Sequence, residues 1–356
     1  MPEYFSSRYD VIAIGGSLAT LTASIVLAKK GLKVLVLEGH DSPGGMATSF
    51  VRDGIEYEAS LHEMMSIGTK QCPMAARRFL ESHGVDVDWV RLPHAFRLVS
   101  PDGDYEIHAG KEGDFTVPAK DIAEYCKDDP RAYEKLMEFF ALCAKMHEAS
   151  DLYSEGKIGN YGMFKDYREF ILTASYSVQQ MFDHFELPKT AQEILSAYWV
   201  YLGSPMQDIP FSVYGYLLAD YLGHGAYIPR HTSYEMSMKL ALMAEEVGVA
   251  IEYCQPVTKI IVEKGKTKGV QLARGDILQC DQVLCGPYPH AAFGQMIDPK
   301  EVPEKAKRWV NAMDPCTSVF SVILLLDQEP ASLGIHDYAT FHACAPFDPQ
   351  LSFLAN

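Results

Sequence analysis

Two pairs of glycines and one acidic residue in the first fifty residues have a spacing suited to binding a dinucleotide. Gly15-Gly16 ends a short apolar run, Glu38 ends a second one 23 residues after Gly15, and Gly44-Gly45 follows six residues later. A tight glycine turn before a helix lets backbone amides approach a pyrophosphate, and an acid about 20 residues further on meets the ribose hydroxyls. The acid also disfavours a cofactor with a 2′-phosphate.

The glycine fingerprint itself is incomplete. The pattern G-x-G-x-x-G falls on residues 15–20, where Ser17 and Thr20 replace the second and third glycines. Both side chains are small enough to permit close approach of backbone and pyrophosphate, although less closely than glycine does. The alternative is the βαβ unit of another α/β protein, in which the start of the helix binds nothing.

Hydrophobic periodicity supplies the elements that would position these residues. A β-branched run over 9–14 predicts a buried parallel strand, the helical spacing from Leu18 to Ala28 predicts a helix, and 33–38 predicts a second strand. The 18 residues from Val11 to Ala28 carry no charge, which is also typical of a membrane span or signal peptide. Interruption of this run by Gly, Ser and Thr favours strand, turn and helix instead.

Length and composition restrict the class of protein. A chain of 356 residues with 48% hydrophobic and 22% charged residues is predicted to form two globular domains. The net charge of −16 disfavours nucleic acid as a partner. None of the eight cysteines forms a CxxC pair, so we predict a reducing, cytoplasmic location and no metal site. Nucleophile-elbow, HExxH and Walker motifs are absent, which excludes the common hydrolases and NTPases.

Four later segments resemble one family in an unchanged order. They are the Gly-Gly loop at 44–50, the stretch Gly54–Glu63, the stretch Gly225–Ser233, and the strand-like runs from Val257 to Cys285. Over about residues 9 to 330 the chain resembles the FAD-dependent phytoene desaturases, carotenoid isomerases and retinol saturases of the amine oxidase-type flavoprotein superfamily. Departures from the family pattern are Met46 where most relatives have Arg, His231 and Thr232 in place of two glycines, and 286–288 in place of Asn-x-Asp.

The resemblance implies a fold and a cofactor. The fold is α/β, with a Rossmann-type FAD-binding domain (parallel sheet plus β-hairpins) over 1–70 and 225–292. An inserted α+β substrate domain covers 71–224 and 293–356. The backbone of Val257 would pair with the adenine. The implied FAD-binding residues are Gly15, Gly16, Ser17, Leu18, Thr20, Glu38, Gly39, Gly44, Gly45, Met46 and Val257.

The resemblance also implies an activity, namely hydride transfer between FAD and a lipophilic alkene or polyene, giving desaturation, isomerisation or saturation. His62 matches the family's histidine beneath the flavin, and Glu58, His62 and Glu63 are the titratable groups nearest that segment, so they are the catalytic candidates. Alternatives are an amine oxidase-type flavoenzyme, which Met46 disfavours, and a partner-dependent dinucleotide-binding chain without activity of its own.

The remaining segments predict the substrate domain. A hairpin is expected over 96–107 around Pro101-Asp-Gly103, a helix with its N-cap at Asp129, and an apolar helical core or channel over 170–221. Isoprenoid substrates would imply peripheral membrane contact. Relatives continue past a strand like Ser318–Leu326 to a Gly/Pro-rich segment that is absent here. We therefore expect a fragment, a second chain that completes the flavin site, or a shortened design.

Overall fold

The computed structural model describes residues 8–173, 175–313 and 319–343. The chain divides into two compact units. The first contains Met1–His62, Leu80–Asp88 and Pro229–Pro315, and the second contains Glu63–Phe79, Trp89–Ile228 and Cys316–Asn356.

These units differ from the predicted domain limits at their edges. Residues 80–88 and 293–315 fall in the first unit, because Lys239 Nζ donates to the Asp86 carbonyl at 2.6 Å and the Gly265 amide to Glu301 Oε2 at 3.1 Å. Residues 63–70 and 225–228 fall in the second unit, where the Ser66 amide donates to Asp220 Oδ1 at 2.9 Å and the Met64 amide to the Tyr227 carbonyl at 2.8 Å.

The strands and helices in chain order are as follows. The strands are β1 (Tyr9–Ile14), β2 (Val34–Leu37), β3 (Ser49–Arg52), β4 (Ile55–Glu58), β5 (Trp89–Arg91), β6 (Phe96–Ser100), β7 (Gly103–Ile107), β8 (Tyr227–Pro229), β9 (Ala250–Glu252), β10 (Val257–Glu263), β11 (Lys266–Leu272), β12 (Ile277–Cys285) and β13 (Thr340–His342). The α-helices are α1 (Leu18–Lys29), α2 (Ala75–Ser82), α3 (Thr116–Tyr125), α4 (Ala132–Ser154), α5 (Asn160–Asp166), α6 (Arg168–Thr173), α7 (Val178–His184), α8 (Lys189–Leu195), α9 (Phe211–Leu218), α10 (Ser233–Glu246), α11 (Pro289–Ala291) and α12 (Glu304–Asn311). Short 3-10 helices cover Ala197–Tyr201 and Pro330–Leu333, and π-helical turns cover Ala219–His224 and Ala292–Met296.

A six-stranded sheet in the order β10-β11-β12-β1-β2-β9 organises the first unit. Strands β12, β1, β2 and β9 run parallel, and Ile12 of β1 lies opposite Val283 on one side and Leu35 on the other. Strands β1 and β2 have neighbours on both edges, and their apolar runs are almost completely buried, as is usual in a parallel sheet. Two antiparallel hairpins, β10–β11 and β11–β12, complete the sheet. The predicted Rossmann-type sheet with β-hairpins is confirmed.

The uncharged stretch from Val11 to Ala28 is β1, a turn and most of α1, as predicted. Leu21 and Ile25 of α1 are fully buried, so this helix packs as part of the core. Among the described residues, no helix combines the length and the apolar character needed to cross a membrane.

The second unit combines a three-stranded sheet, in the order β13-β6-β7, with helices. The predicted hairpin is present as β6 and β7, and Phe96 pairs with Ile107. The long helix begins two residues later than predicted: the Asp129 carboxylate accepts from the Arg131 amide at 2.9 Å in a turn, and α4 starts at Ala132 with Arg131 as its N-cap. Phe139, Phe140, Phe182, Phe211, Tyr198 and Tyr214 form a fully buried aromatic core, as the helical-core interpretation requires.

The strand predicted at Ser318–Leu326 is wrong for its described part. Residues 319–326 have no strand structure, and Ser318 lies outside the described residues. Val319 and Phe320 are 84% and 90% exposed. A β-branched, apolar run becomes a strand by pairing and burial, and this run has neither in the described part of the chain.

Candidate dinucleotide site

Helix α1 begins with its backbone amides available to an anion. Ser17 is the N-cap, and its hydroxyl accepts from the Thr20 amide at 3.4 Å. The first bond back to the cap carbonyl is made by the Leu21 amide at 2.9 Å. The amides of Leu18 and Ala19 precede that bond and therefore have no acceptor within the helix. Such a helix start is a preformed site for phosphate oxygens.

Glu38 directly follows β2 and lies beside the turn before this helix. This residue is almost buried, at 7% exposure. One carboxylate oxygen accepts from the Gly16 amide at 2.5 Å and the other from the His40 amide at 2.7 Å. Gly16 is tightly placed, because a Cβ there would lie 3.1 Å from Glu38 Oε2. Two amide donors thus fix the carboxylate at the end of β2, and contact with ribose there stays a prediction.

The Gly44-Gly45 loop passes directly over the start of α1. The Gly44 amide donates to the Gly16 carbonyl at 2.7 Å, and Gly44 forms a parallel bridge with Ser17. Both glycines have positive φ, at 115° and 63°. A Cβ on Gly44 would lie 2.2 Å from the Ala47 carbonyl oxygen, so a larger residue does not fit. The neighbouring Met46 side chain is 73% exposed.

Contacts around Thr20 compensate for the missing third fingerprint glycine. Thr20 is buried, and its hydroxyl donates to the Gly15 carbonyl at 2.5 Å. Close packing at this point uses Gly286 instead, where a Cβ would lie 2.9 Å from Thr20 Cγ2 and 2.7 Å from the Ile14 carbonyl oxygen. The chain therefore departs from the family pattern at two residues that pack against each other, Thr20 and Gly286.

The loop before β10 lies against the residues that follow β2. The Gln255 amide donates to the Glu38 carbonyl and the Cys254 amide to the His40 carbonyl, both at 2.8 Å. Gly39 faces Pro256, with its missing Cβ 3.7 Å from Pro256 Cβ. Val257 follows directly, at the start of β10. These contacts bring the predicted adenine-binding position close to Glu38.

The predicted catalytic residues have separate environments. Glu58, at the end of β4, accepts from the Ser233 amide and the Ser233 hydroxyl, each at 2.7 Å, and so caps α10. Its carboxylate also accepts from the Leu61 amide at 3.2 Å. These bonds give Glu58 a structural role. His62 is the last residue of this segment in the first unit, and burial lowers the pKa of its imidazole.

Glu63 lies in the second unit among tyrosines. Its Oε1 accepts from the Tyr201 hydroxyl at 2.7 Å, and its Oε2 has no hydrogen-bond partner among the described residues. Tyr198 stacks on Tyr221 with ring centroids 4.8 Å apart, and Tyr201 lies 5.7 Å from Tyr221. Burial raises the pKa of Glu63 to about 7, and the bond from Tyr201 opposes this only in part. We call Glu63, Tyr198, Tyr201 and Tyr221 the tyrosine cluster.

Sequence reasoning did not predict several of these contributors. Gly286 and Ser237 come from distant parts of the chain and belong to no fingerprint pattern. The Ser237 hydroxyl donates to the Ala47 carbonyl at 2.5 Å. The tyrosine cluster likewise joins residue 63 to residues 198–221. Only the tyrosine-rich composition near 197–201 signalled it.

The parallel sheet, the helix start, the terminal acid and the Gly-Gly loop define a dinucleotide-binding α/β protein. Residues 18–349 match the family of flavin containing amine oxidoreductases, and the chain belongs to that family. Family membership makes the cofactor a flavin, in agreement with the FAD predicted from the sequence.

Curated relatives are named for reactions of carotenoids and retinoids. The chain is 25% identical to the zeta-carotene-forming phytoene desaturase of Myxococcus xanthus, over 83% of this chain and 57% of that protein. It is 24% identical to the prolycopene isomerase of Daucus carota and to the all-trans-retinol 13,14-reductase of Rattus norvegicus, over 90% of this chain in each case. The match covers 52% and 54% of those two proteins, so the chain spans about half their length.

Solved structures agree on the fold. An oxidoreductase from Methanosarcina mazei superposes with a TM-score of 0.57 at 15% identity, over 87% of this chain and 66% of that one. Putrescine oxidase gives a TM-score of 0.56 at 15% identity, over 86% and 63%.

Proposed function

We propose that this chain is an FAD-dependent oxidoreductase that transfers hydride between the flavin and a lipophilic alkene or polyene. The observation that carries the proposal is the convergence of Glu38, the start of α1 and the Gly44-Gly45 loop. The three curated relatives described above act on polyenes by name and support the substrate class. The chemistry supplied by bound FAD is the acceptance or donation of hydride.

The residues of the first unit would hold FAD as follows. Glu38 accepts from the ribose hydroxyls of the adenosine half, and the amides of Leu18 and Ala19 bind the pyrophosphate. Gly15, Gly16, Ser17 and Thr20 shape that turn, and the Gly44-Gly45 loop covers it with Met46 at its edge. Gly39 and Val257 would border the adenine, the latter through its backbone.

The proton-handling residues we propose are His62 and Glu63. Burial lowers the pKa of His62, which keeps its imidazole neutral and able to accept a proton. Glu63, with a pKa of about 7, can hold a proton at Oε2 or release it near neutral pH. We assign Glu58 to capping α10 and not to proton transfer, because its carboxylate is occupied by Ser233 and Leu61.

A substrate test separates the two enzyme classes in this fold. Protein loaded with oxidised FAD is mixed without oxygen with phytoene or putrescine, and protein with chemically reduced flavin is mixed with all-trans-retinol or prolycopene. Isomerisation of prolycopene leaves the net oxidation state of the flavin unchanged and is therefore followed by chromatography. We expect phytoene to bleach the oxidised flavin, retinol to restore the absorbance of the reduced flavin, or prolycopene to be isomerised, while putrescine does not react. Bleaching by putrescine alone would contradict the proposed substrate class and favour an amine oxidase.

The role of Glu38 has a matched test. Glu38→Gln keeps the shape of the side chain but removes its charge, and an exposed control, Glu246→Gln, changes the same charge on α10. Loss of a charged hydrogen bond to ribose should weaken FAD binding roughly 10–100-fold. Equal affinity of the two variants in a flavin fluorescence titration would remove Glu38 from the site.

We also propose a cytoplasmic protein with peripheral membrane contact through one surface of the second unit. Tyr161 and Phe164 of α5 and Leu172 of α6 are 79%, 64% and 52% exposed. Lys165 and Arg168, both exposed, lie between them in sequence. Aromatic and apolar side chains beside basic ones are typical of surfaces that enter the membrane interface. We call this surface the α5–α6 face.

Vesicle flotation tests the α5–α6 face. The double substitution Phe164→Glu and Leu172→Glu should reduce binding to phosphatidylcholine vesicles by roughly tenfold or more, since each buried side chain contributes about 1.5–3 kcal/mol. Ile277→Glu is the control, because Ile277 is a 57% exposed apolar residue of the first unit. Equal flotation of both variants would contradict the surface assignment.

A further inference from the structure

The hairpin of the second unit brings two histidines and a glutamate together. His94 precedes β6, Glu106 belongs to β7, and His108 follows β7. One possible ligand atom from each lies within 4.8 Å of the other two. Glu106 and His108 are two residues apart and so project to the same side, while His94 reaches the group from the residues just before β6, which pairs with β7.

The spacing within this group fits a metal ion better than hydrogen bonds. His94 Nδ1 lies 3.5 Å from Glu106 Oε1, and His108 Nε2 lies 3.6 Å from the same oxygen. Both separations are long for a hydrogen bond. Ligand bonds of 2.0–2.1 Å around tetrahedral Zn²⁺ place neighbouring ligand atoms about 3.3 Å apart. Small side-chain movements would therefore bring all three atoms onto one ion.

A second carboxylate fixes the orientation of one ligand. Asp121 Oδ2 accepts from His108 Nδ1 at 2.9 Å and from the His108 amide at 2.8 Å. The Nδ1 proton is thereby held by Asp121, which leaves the Nε2 lone pair directed toward Glu106. A carboxylate behind a histidine that faces the ion is the usual outer-shell arrangement of zinc sites.

On the other side of the cluster, His94 Nδ1 lies 3.1 Å from Asp337 Oδ1. The Asp337 carboxylate is also bound by Arg97 Nη1 at 3.3 Å. An ion bound at Nδ1 would therefore compete with Asp337 for this nitrogen and would sit beside the segment that leads into β13.

We propose that His94, Glu106 and His108 form a site for a divalent transition-metal ion, Zn²⁺ above all, with Asp121 as the outer-shell partner of His108. Two imidazoles and one carboxylate are a ligand set that suits zinc, and a fourth position remains for water. Sequence reasoning predicted no metal site, because the ligands come from the two sides of the β6–β7 hairpin and form no short histidine motif. The site does not depend on the flavin chemistry proposed above.

Equilibrium dialysis of the purified chain against ZnCl₂, followed by elemental analysis, tests the site. We expect one zinc per chain for the wild type and for His184→Ala, an exposed histidine of α7. Glu106→Gln and the double variant His94→Ala/His108→Ala should lose this zinc. Asp121→Asn removes no ligand and should weaken binding roughly 10–100-fold. Far-UV circular dichroism establishes that each variant is folded.

Absence of stoichiometric zinc in the wild type would overturn the proposal, as would undiminished binding by folded Glu106→Gln protein. Thermal unfolding gives an independent readout, because a ligand that binds the folded state raises its stability. ZnCl₂ should therefore raise the Tm of the wild type and of His184→Ala but not that of Glu106→Gln.

Discussion

The turn at Gly15-Gly16 in the first unit, with the Glu38 carboxylate beside it, and the tyrosine cluster of the second unit are built by different means. We call the first of these the glycine turn. The glycine turn uses backbone amides and a single carboxylate from nearly continuous sequence, and its acid is held by two amide donors. The tyrosine cluster uses side chains from distant segments, and one oxygen of its acid has no hydrogen-bond partner in the described structure. Backbone geometry therefore limits substitutions in the first region, and burial of a titratable group dominates the second.

The largest expected effect comes from Gly44→Ala. The new Cβ would lie 2.2 Å from the Ala47 carbonyl oxygen in a residue with φ of 115°. We expect a loss of more than about 3 kcal/mol in the free energy of unfolding. Gly31→Ala is the control, because its φ is 86° but no heavy atom lies within 4 Å of a Cβ there. It should cost only about 1–2 kcal/mol in urea unfolding. Equal losses of unfolding free energy for Gly44→Ala and Gly31→Ala would mean that the lack of room for a Cβ at residue 44 does not affect stability.

A pH-dependent effect distinguishes the tyrosine cluster. Because burial raises the pKa of Glu63 to about 7, the folded state binds more protons than the unfolded state between about pH 4.5 and 7. The contribution of Glu63 is therefore most favourable at low pH and falls as the pH rises through this range, by about 3 kcal/mol in total.

Glu63→Gln should remove this dependence, so the difference in unfolding free energy between variant and wild type should shift in favour of the variant from pH 5 to pH 8. Urea titrations at several pH values measure the shift, with Glu246→Gln as a control at an exposed position. Parallel curves for the wild type and Glu63→Gln would contradict the raised pKa.

The smallest expected effect concerns Thr20, which replaces the third fingerprint glycine. Thr20→Val removes the hydroxyl that donates to the Gly15 carbonyl and leaves that oxygen without this partner. We expect a cost of about 1–2 kcal/mol in the free energy of unfolding. Thr22→Val, on the same helix but only half-buried, should change it by less than about 0.5 kcal/mol. A neutral Thr20→Val would show that the compensation lies elsewhere, at Gly286 for example.

Sequence reasoning succeeded where the determinants are local. The βαβ unit, the hairpins of β10 to β12 and the hairpin of β6 and β7 follow from runs of apolar residues bounded by turn residues. The positions of Glu38 and the Gly-Gly loop follow from the fixed spacing of strand, helix and strand. Gly44 in particular is explained by its φ and by the carbonyl that occupies its Cβ position.

Prediction failed where tertiary partners decide the outcome. The apolar run at 319–326 has strand propensity, but its described residues have no strand structure. The environments of Glu58 and Glu63, five residues apart, also depend on tertiary partners: Glu58 caps α10, and Glu63 bonds to Tyr201 in the second unit. Neither role is visible in local sequence, because Ser233 and Tyr201 are more than a hundred residues away.

The central claim is that the glycine turn, Glu38 and the Gly44-Gly45 loop hold FAD. The most direct test is the visible absorbance spectrum of the purified chain, followed by FAD titration of any flavin-free protein with thermal unfolding as the readout. We predict a flavin spectrum near one FAD per chain, or saturable stabilisation by added FAD. A folded, colourless protein whose Tm is unchanged by FAD would contradict the claim and favour a chain that binds the cofactor only with a partner.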